Sequence, residues 1–118
     1  MLATAADIAV VLVAALHLWF LVLEMFLWDQ PLGRRTFGMT PDKAAATKPL
    51  AMNQGLYNGF LAAGLIWGLY AAAFDFKVFF LGCVIVAGVF GAVTASRKIL
   101  WVQALPGAVA LGLVLATR

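Results

Sequence analysis

Four long apolar runs, divided only by short clusters of charge, set the limits on what this chain can become. They cover about 3–28, 50–74, 78–96 and 99–116. Each is long enough, or nearly so, to cross ~30 Å of hydrocarbon as a helix. With 65% hydrophobic and 11% charged residues in 118, the chain has more apolar surface than a small soluble domain can bury. The same figures exclude disorder. A lone cysteine, Cys83, excludes a disulfide scaffold. In hydrocarbon every backbone group must be satisfied internally, which selects helices, and the runs lack the alternation of a β-barrel. The expected fold is therefore all-α: an integral membrane four-helix bundle, one domain over 1–118, with a cytoplasmic loop at 29–49.

The first run lacks a basic start and ends in Glu24-Met25-Phe26-Leu27-Trp28 rather than in small residues, so it reads as a retained span and not a cleaved signal. Basic residues give the orientation. Arg34, Arg35, Lys43, Lys48, Arg97 and Lys98 fall in the first and third connections, while only Lys77 and Arg118 fall on the other side. The positive-inside rule then puts both termini outside. The net charge of +3 points to anionic lipid headgroups and not to nucleic acid. Trp28 and Trp101 fall at the cytoplasmic ends of their helices, where amphipathic rings settle.

Within the long loop, Asp29-Gln30-Pro31-Leu32-Gly33 reads as a turn. Thr40-Pro41-Asp42 is a helix start: a cap, a proline at the first position, an acid near the positive end of the dipole. That helix is expected to stop at Pro49. Gly55, Gly59, Gly64 and Gly68 in the second run, Gly82, Gly88 and Gly91 in the third, and Gly107 and Gly112 in the fourth mark close helix contacts. Four short helices make a thin bundle, which points to a homo-oligomer.

Polar residues inside the runs carry the functional signal, because each is costly in lipid unless partnered. They are His17 and Glu24 in the first run, Asn53, Gln54, Tyr57 and Asn58 in the second, Thr94 in the third and Gln103 in the fourth. At ~1.5 Å per residue, Glu24, Asn53, Gln54, Thr94 and Gln103 all fall within about 5–8 Å of the inner edge of the membrane, with Asn58 deeper and His17 deepest. Pro106 leaves the Val102 carbonyl without its helical partner beside Gln103 and predicts a bend there.

A carboxyl group in this layer can exchange protons, with His17 as its partner, while the carboxamides of Asn53, Gln54, Asn58 and Gln103 and the phenol of Tyr57 orient a polar head whose tail lies in lipid. The layer thus predicts a site for an amphipathic or lipophilic small molecule. Glu24 and His17 are its candidate catalytic pair. One histidine and one glutamate fall short of a convincing metal site, and no phosphate loop, dinucleotide fingerprint or nucleophilic triad is present, which leaves any cofactor unknown. Plainer readings stand beside this one. Glu24 can pair with Lys48 or Lys98 at the interface. His17 can be a neutral side chain bonded to a carbonyl or to Tyr57. The amides can serve only as interhelical bonds in a scaffold without a ligand. A third alternative uses Glu24 as the coupling site of a proton-driven transporter.

At Glu24–Trp28, at Asn53-Gln54-Gly55-Leu56-Tyr57-Asn58-Gly59-Phe60-Leu61-Ala62, at Phe80–Gly88 and at Val102-Gln103-Ala104-Leu105-Pro106 the chain resembles a small membrane family catalogued as domain of unknown function 1304. The resemblance covers essentially the whole chain. It implies a bacterial four-span protein, hence a multi-pass protein of the plasma (inner) membrane, and implies no established activity. The first-helix glutamate is similar to that of the small multidrug transporters, whose other motifs are absent. The outside N-terminus and long first loop are similar to the trimeric glutathione-using membrane enzymes, whose arginine-rich second helix is absent.

Overall fold

The computed structural model describes all 118 residues. It is all-α: α1 (Leu2–Met25), α2 (Pro31–Phe37), α3 (Pro41–Tyr70), α4 (Phe74–Thr94), a π-helical turn (Leu100–Ala104) and α5 (Leu105–Ala116). By length and composition, α1 and α4 are the helices able to cross a membrane, and the apolar stretch Leu100–Ala116 is shorter. The longest helix, α3 with 30 residues, carries Asp42, Lys43 and Lys48 in its first part.

The expected loop at 29–49 is instead mostly helical. Pro31 starts α2, and Gly38, in the left-handed conformation at φ 64°, ends it by donating its N–H to the Arg34 carbonyl. Thr40 caps α3 as its sequence predicts, its hydroxyl accepting the Lys43 N–H at 3.2 Å. The helix does not stop at Pro49 but runs on to Tyr70. Pro49 removes a single bond, that to the Ala45 carbonyl, and both residues are exposed, so the freed acceptor faces outward. At the other proline the chain widens into the π turn, where the Leu105 N–H reaches back to the Leu100 carbonyl. The irregular turn directly precedes Pro106, the place where the regular ladder would lose a donor.

The chain forms two compact units, 1–15 with 61–118, and 16–60. In the first, the beginning of α1 (Ala6, Val10, Val13), the end of α3 (Leu65), α4 (Leu81, Val84) and α5 (Ala110, Val114) share one core. Gly88 lets α4 approach the π turn so closely that an added Cβ would stand 2.6 Å from the Ala104 nitrogen. One end of this unit is polar: Lys77 pairs with Asp7 at 3.3 Å, and the Arg118 guanidinium lies 4.8 Å over the Phe74 ring. Thr94, Ser96, Arg97 and Lys98 are exposed as well, and large apolar side chains lie outside too, with Leu12 64%, Phe90 67%, Val93 80% and Val109 54% exposed.

In the second unit α2 folds tightly onto the end of α1. Gly33 is buried there, and a side chain in its place would collide with the Leu27 carbonyl.

Candidate functional site

The second unit holds most of the residues singled out from the sequence. Along α3, Ala51, Gly55, Asn58 and Ala62 recur at helical spacing and all are buried. They form the contact stripe, and Asn58 is the polar member of it. Gly55 sets the distance to α1: a Cβ on it would meet Met25 Cγ at 2.6 Å and Glu24 Cβ at 3.1 Å. Gly59 does the same against Leu21 Cδ1 at 2.8 Å. This close approach brings the Asn58 amide to Glu24, and Asn58 Nδ2 donates to Glu24 Oε1 at 2.5 Å. A buried carboxamide without a partner would be costly, so each group justifies the other's position.

Next to the pair, a polar clamp ties the end of α1 to the start of α3. The Trp28 indole N–H donates to Thr47 Oγ1 at 3.0 Å, and Thr47 donates in turn to the Lys43 carbonyl at 2.8 Å. Lys48 Nζ pairs with Asp29 at 3.1 Å. The hydrogen bond from Lys48 holds the Asp29 carboxyl below its ordinary range, with partial burial opposing it. Trp28 also stacks obliquely on Phe37, ring centres 4.8 Å apart. Neither expected lysine partner of Glu24 is realised here, since Lys48 goes to Asp29 and Glu24 to Asn58.

Asn53, Gln54 and Tyr57 lie on the exposed side of α3 rather than with the carboxylate. Asn53 and Tyr57, four residues apart, project away from the contact stripe, and Gln54, one turn before Asn58, lies on its flank. Tyr57 is 53% exposed and its ring rests against Phe60, not against His17. His17 is fully buried and meets Phe20 edge-on at 5.3 Å. It lies on α1 seven residues before Glu24, about 10 Å along the axis. Gln103, half-buried in the π turn, belongs to the other unit, as does Thr94, whose hydroxyl donates to the Phe90 carbonyl at 2.7 Å. An open groove that sequence reading missed lies in that unit, lined by Phe74, Asp75, Lys77 and Arg118. Its cations are already engaged by Asp7 and the Phe74 ring.

Chemically, the second unit offers one half-buried carboxylate with an amide donor fixed on one oxygen, a second amide a turn away, and an aromatic and ionic rim. Such a set can hold a hydrogen-bonding or cationic head and exchange a proton with it.

Residues 11–115 match the family described as "Protein of unknown function (DUF1304)". The chain is 27% identical over 96 residues to a protein of Lactococcus lactis subsp. lactis (strain IL1403) named "Uncharacterized protein YpaA". That alignment spans 78% of this chain and 81% of the relative. No solved structure matches it.

Proposed function

This chain belongs to the family described as Protein of unknown function (DUF1304), and from that footing we propose that it is a four-span protein of the bacterial plasma membrane that binds an amphipathic or lipophilic small molecule in the cytoplasmic half of the bilayer. In this reading α1, α3, α4 and the stretch Leu100–Ala116 are the spans and both termini face outward. Support comes from the apolar residues left outside on several helices, a surface that suits lipid and not water. Within each unit charged groups gather locally. Asp7, Lys77 and Arg118 lie at one end of their unit, while Asp29, Lys48 and Trp28 gather where α1 gives way to α3. Trp28 then sits at headgroup level, as interfacial aromatics do.

The observation that carries the ligand reading is the bond from Asn58 to Glu24. A carboxylate kept inside a span is expensive and marks a working site more often than a structural one. Asn58 orients the carboxylate, Gln54 supplies a further amide on the same flank, and the apolar face of α3 accepts the tail. Glu24 exchanges the proton if the bound molecule reacts or moves.

Mass spectrometry of small molecules retained by the purified protein tests this. The expected result is an amphiphile near one per chain, reduced at least tenfold in Glu24→Gln. A second reading, a scaffold in which the pair is only a clasp, is favoured by the direct satisfaction of one side chain by the other. It requires no retained molecule, or one whose occupancy Glu24→Gln does not change, and either result sinks the ligand reading.

A further inference from the structure

Asn53 and Tyr57 present an unresolved problem on the outside of α3. Both are exposed, and neither side-chain polar group has a hydrogen bond within the chain. Counted from Lys48, which is tied to Asp29 at the rim, Asn53 lies about 8 Å and Tyr57 about 13 Å further along the helix. On the membrane reading above, on which this inference rests, both depths are inside the hydrocarbon. Lipid tails can satisfy neither a carboxamide nor a phenol, so groups facing lipid at those depths would remain unpaired.

We infer that the α3 face bearing Asn53 and Tyr57 is the contact surface for a second copy of this chain. A carboxamide carries donors and an acceptor, and a phenol carries both, so each can pair with its own kind. Geometry then constrains the arrangement. On the membrane reading six of the eight Lys/Arg residues, Arg34, Arg35, Lys43, Lys48, Arg97 and Lys98, fall on the inner side, so every copy inserts the same way up. Two parallel copies related by a two-fold axis along the membrane normal place residues of equal number at equal depth. Asn53 therefore meets Asn53, in the manner of a buried asparagine that fixes register in paired helices. Tyr57 meets Tyr57 two-thirds of the way down a stripe that includes Leu50 and Phe60, 70% and 58% exposed. The contact face of the glycines is not available for this purpose, because Gly55 and Gly59 are occupied by α1 of the same chain. The Glu24–Asn58 pair lies on the other side of α3 and stays with its own chain.

The test is disulfide cross-linking of the full chain in phosphatidylcholine nanodiscs and vesicles, in a Cys83→Ala background. Single cysteines are placed at Asn53→Cys and Tyr57→Cys, with Val109→Cys and Phe90→Cys as equally exposed controls. Expected are disulfide dimers at 53 and 57, few at 109 and 90, and a dimer dissociation constant raised on the order of tenfold by Asn53→Leu. A monomer by mass at every concentration overturns the inference, as does cross-linking no stronger at 53 than at the controls. A membrane-integrated monomer that still retains an amphiphile sinks the dimer alone. Failure to partition into vesicles at all sinks the membrane reading and the dimer with it.

Discussion

Replacing Gly88 by alanine should destabilise the protein, although alanine is the better helix residue. In α4 the substitution gains about 0.5–1 kcal/mol of intrinsic helix preference. Against that, the new Cβ would stand 2.6 Å from the Ala104 nitrogen, 2.8 Å from its Cβ and 2.9 Å from its Cα. Ordinary contact between such atoms begins near 3.5 Å, so three clashes of roughly half an ångström or more fall on one residue. Two of the three atoms are backbone and cannot rotate aside. Relief requires α4 and the π turn to part, and overpacking of this kind costs about 1–3 kcal/mol. The net loss is then about 0–2.5 kcal/mol, with a middle value of about 1, or a fall of several degrees in melting temperature for a chain of this length. Gly82→Ala and Gly112→Ala provide the control, because nothing lies within 4 Å of a Cβ at either position. Those two should keep the helix gain and melt higher than the parent. Thermal unfolding followed by circular dichroism in one detergent reads all three. If Gly88→Ala melts at or above the parent, or if all three variants shift in the same direction, the packing argument is wrong.

Other variants probe the second unit. Asn58→Leu and Glu24→Gln should be non-additive, with a coupling of about 0.5–3 kcal/mol in a double-mutant cycle of unfolding, and additive losses would mean the bond does not matter. Trp28→Phe keeps the ring on Phe37 but drops the indole N–H to Thr47, so a loss of about 1 kcal/mol is expected, and Thr47→Val should remove most of the difference. Asp29 is held below its ordinary range by Lys48, so its contribution is present above the usual carboxylate value and is lost as pH falls through the lowered one. The melting difference between the parent and Asp29→Asn should therefore be flat at neutral pH, shrink in the acid range below pH ~4, and shrink also at high salt because the pair is partly exposed.

That the chain is helical, and that one helix starts at Thr40-Pro41, was legible in the residues alone, whereas the starts of α2 at Pro31 and α4 at Phe74 were not. Local chemistry at Thr40 and Pro41 acts within a single turn, so it can be read without knowing the fold. The sequence also marked Glu24 and Asn58 as worth explaining, because a polar group in an apolar run is conspicuous wherever it ends up. Which polar residues meet depends on packing between helices. Asn53, Gln54 and Asn58 have similar chemistry and neighbouring positions, yet one turns to the carboxylate and the others turn outward. That choice belongs to Gly55 and Gly59, whose close approach to α1 fixes the rotation of α3. Pro49 teaches the same point in reverse. As a local signal it predicts a stop, but a single lost bond on an exposed face is a small cost beside a helix that packs on α1 and continues for nearly six more turns. Depth along a helix is a one-dimensional property that residue counting supplies, whereas facing is rotational and depends on which neighbour packs closest.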